Sequence, residues 1–365
     1  MSRKLKVAVL TPKFFGEYAL RLSLGLTDRC DVLVLSDEGL RGLCEQPSLR
    51  EAFAAVPVKT WPADRPWQQA VYVLATLLHL IRFRPDVLHC QECPEWHYYV
   101  VAKVASWLFP VVLTVHEPVQ HSEREVVEAS RGQRITRLRE RAHLILVNGE
   151  YARQELARAM APAGVPIVAT RHGVVLVPAP DQARNPRARR VLLFGRMEHH
   201  KGVEVLVAAA ERLAALGAPL KLVLAGSGPE IGRLRDRATT LPYVVIREGF
   251  LSPSDAIEEF QQASVVVLPY LDAAQSGVAA AAFANGRPVV GSRVAALQEM
   301  VVDGVNGALV ERGDSEMLAA ALSRILDSEE EWTRLRDGAS STASTKLSWR
   351  HIASDTVDLY HRYVI

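Results

Sequence analysis

The sequence has few cysteines and no excess of charge of either sign. Its four cysteines all lie in the first third of 365 residues, and the formal net charge of +2 gives no support for a nucleic-acid partner. Cys90 and Cys93 have zinc-ribbon spacing, but no second pair or His-x-x-x-His follows them. We therefore interpret the cysteines as buried or semi-buried free thiols in a reducing cytoplasm, without a bound metal.

Long apolar runs are also missing. The longest, residues 98–115, is broken by Lys103 and Pro110, so we interpret it as a helix followed by a strand rather than as a membrane span. Lys4 and Lys6 precede a strand-length run, not the apolar core of a secretory signal. These absences predict a cytoplasmic protein with at most a peripheral membrane contact.

Short β-branched runs alternate with amphipathic segments of helical length along nearly the whole chain. Strands that are continuously apolar and separated by helices indicate parallel sheets covered on both faces. The length and the number of runs favour two α/β domains, both doubly wound and Rossmann-like, facing each other across a cleft. The runs are KVAVLT, DVLVLS, DVLHC, VVLTV, LILVN and IVAT, then RVLLFG, KLVLAG, YVVIREG, SVVVLP, RPVVGS and GALVER.

A change in composition marks the boundary between the two predicted domains. Residues 176–189 are rich in proline and arginine and have no helical period, which is typical of a linker. We place the first domain at 1–175 and the second at 190–347. Residues 348–365 form a predicted amphipathic helix, with Trp349, Ile352, Val357, Tyr360 and Tyr363 as its apolar set.

Two cations follow the first strand of the second half. Gly195 allows a tight turn at the carboxyl end of that strand, and Arg196 and Lys201 then reach the crevice where open α/β sheets bind ligands. A guanidinium fork and an ammonium group together suit a diphosphate. An ordinary surface loop explains the same spacing equally well.

A second anion site is predicted where Gln275, Ser276, Gly277 and Val278 open an alanine-rich helix. The free N–H groups and the dipole at a helix start attract phosphate, and small side chains let it approach. A tightly packed core helix would explain the alanines but not the Gln-Ser-Gly. Gly226, in a Gly-x-Gly-Pro turn, is a weaker signal for which a purely structural turn is the alternative.

The motifs of the second half resemble, in order and spacing, the donor half of retaining glycosyltransferases of family 4, which have the GT-B fold. The resemblance is close over residues 190–363 and looser over the first half. It is carried by FGRMEHHKGVEVLVAAAERL, KLVLAGSGPE, REGFLSPSD, VVVLPY, GRPVVGSRVAALQEMVVDGVNGALVERGD and SWRHIA, and in the first half by LTVHEP, VNGEY and RHG.

The resemblance implies roles for individual residues. Arg196 and Lys201 would clamp the donor diphosphate, and His116 would lie in the cleft beside the donor sugar, although a histidine that caps a core strand is the alternative. The C-terminal helix would cross back onto the first domain. The backbone of Gly16, Gly195 and residues 275–278 would contact the phosphates, and Leu251 and Gly226 would contact the base and ribose.

Three departures from the family pattern bear on function. The two glutamates expected eight residues apart are replaced by Ala273 and Ala281, although Asp272 is adjacent to the first position. The Gly-Gly loop after the first strand is reduced to Gly16 alone. No Asp-x-Asp occurs anywhere in the chain, which argues against a metal-bridged diphosphate.

Our hypothesis is a metal-independent, cofactor-free retaining glycosyltransferase that uses a nucleotide-sugar donor. The acceptor is unknown. An anionic or lipid-linked acceptor would suit a helix after His121 that carries Arg131, Arg134, Arg137, Arg139 and Arg141, although a solvated helix face explains these arginines too. The alternatives are a catalytically impaired nucleotide-sugar-binding protein and a nucleotide-sugar epimerase. A dehydrogenase is disfavoured because no Gly-x-Gly-x-x-Gly follows the first strand.

Overall fold

The computed structural model describes residues 3–45, 49–118, 129–161, 164–178, 189–218, 220–272 and 276–365. The chain divides into two compact units. The first comprises Met1–Gly173 together with Trp349–Ile365, and the second comprises Val174–Ser348. Most of the predicted linker, residues 179–188, lies outside the described part of the chain.

Within the described residues, the first unit has a seven-stranded parallel sheet. Its order is β3-β2-β1-β4-β5-β6-β7, so the direction of winding reverses beside β1. Central strands such as Val7–Leu10 are completely buried, as expected for a sheet covered on both faces. The strands are β1 (Leu5–Thr11), β2 (Cys30–Asp37), β3 (Val58–Trp61), β4 (Val87–Gln91), β5 (Val111–Val115), β6 (Leu144–Asn148) and β7 (Ile167–Thr170).

Helices connect these strands, and the last helix of the chain joins them. Helix α14 packs on α1 within the first unit. Trp349, at its start, fits where Gly25 and Gly173 have no side chain, because a Cβ on Gly173 would lie 2.3 Å from the indole. The helices are α1 (Gly16–Leu26), α2 (Arg50–Ala55), α3 (Pro66–Phe83), α4 (Trp96–Ala105), α5 (Ala129–Arg141), α6 (Glu150–Ala159) and α14 (Trp349–Tyr363).

A buried histidine links α14 to the centre of the first sheet. His89, on β4, is fully buried, with Nδ1 2.6 Å from the hydroxyl of Tyr360 and Nε2 2.6 Å from that of Thr114. Burial lowers the pKa of His89 to about 3. Because the unfolded chain takes up this proton below pH ~6.5 and the folded chain does not, this site makes stability fall as the pH drops from there towards 3.

The second unit repeats the same winding. In its described part, six parallel strands have the order β10-β9-β8-β11-β12-β13, which reverses beside β8. The strands are β8 (Arg190–Arg196), β9 (Lys221–Ser227), β10 (Val244–Glu248), β11 (Val265–Leu268), β12 (Val289–Ser292) and β13 (Gly307–Val310). The helices are α7 (Val203–Ala215), α8 (Pro229–Ala238), α9 (Pro253–Gln262), α10 (Gly277–Ala284), α11 (Ala295–Gln298), α12 (Ser315–Asp327) and α13 (Glu329–Ser344).

Every apolar run in the sequence that predicted a strand is a strand, and two other details differ. Strand β3 was not predicted, since it has only four residues at the sheet edge and Lys59 and Thr60 interrupt its apolar residues. Tyr363 was assigned to the apolar face of the last helix but is 40% exposed, because α14 is ending there. The prediction of free thiols is confirmed for Cys30, Cys90 and Cys93, all buried.

We predict that Tyr360→Phe lowers the free energy of unfolding by about 1–3 kcal/mol, because it leaves a buried ring nitrogen of His89 without its partner. Urea titration of the full chain, followed by tryptophan fluorescence, measures the change. Tyr363→Phe removes the same atom from an exposed position on the same helix and is the matched control. Equal stability of the two variants would show that the His89–Tyr360 contact contributes nothing.

Candidate functional site

The carboxyl end of β8 lies at the switch point of the second sheet. Strands β9 and β11 flank β8, so chain segments leaving β8 and β11 diverge and form a crevice. Gly195 and Arg196 end β8, and a short 3-10 helix, His199–Lys201, leads from there into α7. The residues predicted to bind a diphosphate therefore stand at the position where this fold class binds ligands.

The loop after β8 is held against the segment after β11 by close backbone packing. Gly202 has a φ of +67°, and a Cβ at this position would lie 1.8 Å from the carbonyl oxygen of Pro269. Beside this contact, the backbone N–H of Leu271 donates to the carbonyl of His200 over 2.7 Å. These two contacts fix the position of the cationic loop relative to the chain that leads into α10.

Lys201 is oriented by an aromatic ring. Its Nζ lies 3.9 Å from the ring centroid of Tyr270, a residue that is fully buried just after β11. A cation over an aromatic face is attracted by the ring quadrupole, so the ammonium group is held at the crevice. Within the described part of the chain, the buried hydroxyl of Tyr270 has no hydrogen-bond partner.

Arg196 is more open than Lys201. Its side chain is 63% exposed, and its guanidinium lies 3.5 Å from the carboxylate of Glu198. The same carboxylate lies 3.4 Å from Nδ1 of His200. A loosely paired, exposed guanidinium can exchange this contact for a phosphate at small cost, because an exposed ion pair contributes little.

The start of α10 lies in the same corner as these cations. Ser276 caps the helix, since its hydroxyl accepts the N–H of Ala279 over 3.3 Å. A Cβ on Gly195 would lie 3.8 Å from the side chain of Val278, so the end of β8 and the first turn of α10 are neighbours. The first N–H groups of a helix have no acceptor within it and are available to an anion.

The remaining predicted contacts of the second unit are less closely tied to that corner. A Cβ on Gly226 would lie 1.8 Å from the carbonyl oxygen of Gly195, so this glycine is needed for the approach of two backbones. Leu251 is half-buried after β10 and packs against the core. Ala281 is 1% exposed, whereas Gln275 lies outside the described residues, as does Ala273.

In the first unit, His116 occupies the equivalent edge, immediately after β5. It is buried, its ring stacks on Phe15 at a centroid distance of 3.8 Å, and the ring of Tyr18 meets it edge-on at 4.8 Å. Its Nε2 donates to Oε1 of Gln91 over 2.7 Å. Burial holds the pKa of His116 well below its usual range, so the ring is neutral at neutral pH.

Buried amide groups beside His116 have unused donors. Among the described residues, Nε2 of Gln91 and Nδ2 of Asn148 have no hydrogen-bond partner, although both side chains are buried. Oδ1 of Asn148 accepts the hydroxyl of Tyr18 at 3.4 Å. Buried donors of this kind are usually satisfied, so their position at the carboxyl edge of the sheet marks this cluster as a candidate polar site.

Gly16 is required for close packing at the start of α1, as its nearest neighbours show. It is buried at the start of α1, where a Cβ would lie 2.3 Å from Leu40 and 2.8 Å from Leu43. Its predicted contact with a donor phosphate remains a prediction. In the described part of the chain, no group of three or more His, Cys, Asp or Glu side chains is arranged to hold a metal ion.

The arginine-rich helix is divided between two uses. Arg139 forms a two-pronged ion pair with Glu92, Arg131 pairs with Glu95, and Arg134 donates to the carbonyl of Pro94. These three arginines fasten α5 to the loop after β4. The other two, Arg137 and Arg141, line a surface cavity on α4 and α5 together with Tyr99, Lys103 and Glu140.

Tyr270, Gln91 and Phe15 were not singled out from the sequence. Gln91 is the last residue of β4, and Tyr270 and Phe15 lie within four residues after β11 and β1, so their position at the carboxyl end of a strand is the signal that could have found them. What the sequence could not show is that Phe15 and Gln91 meet at His116, since this depends on how β1, β4 and β5 are ordered.

Comparison with known proteins gives matches in both units. The model for glycosyl transferases group 1 matches residues 188–328, and that for Glycosyltransferase Family 4 matches 16–163. Glycogen synthase of Mycobacterium tuberculosis is 28% identical over 76% of this chain and 69% of its own length. The MMP alpha-(1->4)-mannosyltransferase of Mycolicibacterium hassiacum is 29% identical over 76% and 71%. The structure of Anabaena HepE with UDP-glucose aligns with a TM-score of 0.71 and 18% identity over 98% of this chain and 100% of that one.

We predict that Lys201→Ala and Arg196→Ala each weaken the binding of a nucleoside diphosphate by about ten- to a hundredfold, because each removes a charge-assisted contact of about 1.5–3 kcal/mol. Titration calorimetry measures the affinity. Lys221→Ala removes an exposed ammonium from the amino end of β9, at the opposite edge of the same sheet, and is the matched control. Unchanged affinity in both site variants would place the diphosphate elsewhere.

Proposed function

We propose that this chain, whose two units match the models for glycosyl transferases group 1 and Glycosyltransferase Family 4, moves a sugar from a nucleotide-diphosphate donor to an acceptor hydroxyl with retention of configuration. Its two doubly wound units are those of the GT-B fold. The observation that carries the proposal is the corner formed by Arg196, Lys201 and the first turn of α10. It provides two cations and the backbone N–H groups of a helix start at the switch point of the sheet.

This corner supports a specific role in the reaction. When the bond between the sugar and the diphosphate breaks, negative charge builds up on the departing phosphate. Donors already in place stabilise that charge without reorganisation during the reaction. The ring of Tyr270 holds Lys201, and Ser276 holds the first turn of α10, so both are preorganised. We propose that these groups replace a metal ion, since the sequence contains no Asp-x-Asp.

His116 is our candidate for the residue that acts at the sugar. Because it is buried and neutral, it can interact with a sugar hydroxyl or with developing positive charge without bringing a charge of its own. The bond to Gln91 fixes its tautomer, with the proton on Nε2. The stacked ring of Phe15 fixes its orientation. A rigid imidazole of this kind suits a contact that strengthens in the transition state.

A panel of nucleotide sugars tests the proposal. Incubation with UDP-, GDP-, ADP- and dTDP-sugars is expected to release the nucleotide from one of them, with water or a supplied sugar alcohol as acceptor. The anomeric coupling in the proton NMR spectrum of the product reports retention or inversion. Inversion would refute the retaining mechanism. A change in the sugar without nucleotide release would indicate an epimerase, and binding without any reaction would indicate a nucleotide-sugar-binding protein.

We predict that His116→Ala lowers kcat by far more than it changes KM, because its contact matters most as charge develops at the sugar. Steady-state kinetics with the donor found in the panel measure both constants. His97→Ala, another buried histidine of the first unit on α4, controls for loss of packing. A rise in KM at constant kcat would make His116 a residue that only binds substrate.

The alternative of a binding protein is favoured by one observation. A carboxylate expected by family resemblance at position 281 is replaced by alanine, and Ala281 is almost fully buried among other apolar residues of α10. No acidic side chain at this position can therefore accept hydrogen bonds from a ribose. If the chain is active, as we propose, the missing carboxylate changes which nucleotide it prefers and does not abolish sugar transfer.

We predict that the chain discriminates little between UDP and 2′-deoxy-UDP, with affinities within about threefold, or less than roughly 0.7 kcal/mol. A site that hydrogen-bonds a hydroxyl rejects the analogue without it, because a buried group is left unpaired. Calorimetry in one buffer compares the two ligands. A preference for UDP above about tenfold would show that another group, such as Asp272, binds the ribose.

A further inference from the structure

Helix α3 exposes a continuous apolar stripe to solvent. Five large side chains point outwards at intervals of four, three, four and three residues, and each is between 46% and 64% exposed. This spacing places them on one face of the helix. They are Trp67, Val71, Leu74, Leu78 and Ile81, called here the α3 stripe.

The rest of α3 carries no strongly charged face. Tyr72, Thr76 and Leu80 are buried on its inner face, and no Asp, Glu, Lys or Arg occurs between Pro66 and Ile81. A surface helix normally turns charged or polar residues to solvent, whereas α3 turns large apolar ones outwards. A continuous exposed patch of five large apolar side chains marks a site of interaction, so the α3 stripe is expected to meet a partner.

Basic residues gather where α3 ends. Helices α3, α4 and α5 each run back to the amino end of the next strand, so their C-terminal ends lie along one edge of the sheet. Packing of α3 on α4 and of α4 on α5 makes them one layer. The cations at these ends are Arg82, Arg84, Lys103, Arg137 and Arg141, called here the basic end.

A cavity of about 330 Å³ lies within the basic end. Lys103, Arg137 and Arg141 line it together with Tyr99, and Glu140 is its one acidic lining residue. Just past Lys103, the exposed side chains of Trp107 and Leu108 follow in the turn after α4. Cations with room between them suit the phosphate groups of lipids. Adjacent exposed apolar residues suit the acyl region that lies just beneath those phosphates in a bilayer.

From this arrangement we propose that the α3 stripe and the basic end dock on the surface of an anionic phospholipid bilayer. The contact that we propose is peripheral. In the described part of the chain, no helix is long and apolar enough to cross a membrane. Helix α3, about 27 Å long, lies in the interface with its stripe among the upper acyl chains. The cations contact lipid phosphates, which a second copy of this equally basic surface would not provide.

Two exposed tryptophans also support a bilayer as the partner of this surface. Trp67 is 62% exposed at one end of α3, and Trp107 is 66% exposed in the turn after α4. Tryptophan is enriched where a bilayer meets water, because its ring is apolar and its N–H is polar.

Co-sedimentation of the full chain with vesicles tests the proposal. The native chain is expected to bind mixed phosphatidylcholine–phosphatidylglycerol vesicles at least about tenfold more tightly than phosphatidylcholine alone, and added salt should weaken the binding. Leu74→Glu combined with Leu78→Glu should lower the affinity by about tenfold or more, since it puts two charges into the apolar contact. Arg137→Glu combined with Arg141→Glu should remove the preference for anionic lipid.

Leu216→Glu is the matched control, because Leu216 is an apolar residue of the second unit and is 79% exposed. It should bind vesicles like the native chain, and unchanged circular dichroism should show that all variants fold. Two results would overturn the proposal: a native chain that does not bind mixed vesicles, or stripe variants that bind as well as the control. A native dimer that the stripe substitutions dissociate, without vesicle binding, would assign the stripe to a second copy instead.

Discussion

The candidate site of the second unit depends on a backbone approach that only glycine permits. Gly202 lies against the carbonyl of Pro269, and this contact brings the loop after β8 to the segment that leads into α10. Any side chain at this position would separate the two segments, and with them Lys201 from the ring of Tyr270. The same principle applies one strand away, where Gly226 admits the carbonyl of Gly195. The geometry of the site therefore depends on glycines, because the absence of their side chains lets these backbone segments approach each other.

The two units share a winding order but differ in charge at their carboxyl edges. In the second unit the edge has exposed or half-exposed cations and the N–H groups of a helix start, which suit a ligand with fixed negative charge. In the first unit the edge has a neutral histidine among aromatic rings and buried amides. An environment of this kind disfavours charge and suits a ligand that presents hydroxyl groups.

The sequence was most informative where burial is complete and least informative where residues meet from distant strands. Continuous apolar runs identified every long strand, because a sheet covered on both faces has few polar positions. The edge strand β3 lacks this signal, because Lys59 and Thr60 interrupt its apolar residues. Arg196, Lys201 and Ser276 could be found from the turns that carry them. Tyr270 and Gln91 could be located at strand ends, but their contacts with Lys201 and His116 could not be predicted, because those depend on which strands are neighbours.

The path of the chain has a consequence for synthesis on the ribosome. Domains usually fold from the amino terminus onwards as the chain emerges. Here the first unit lacks α14 until Trp349–Tyr363 has been translated, so before then Trp349 cannot pack against Gly25 and Gly173, and His89 has no contact with Tyr360. The whole of Val174–Ser348 is translated in between. The second unit can therefore complete its core before the first unit gains α14, although the first unit is the one whose synthesis begins earlier.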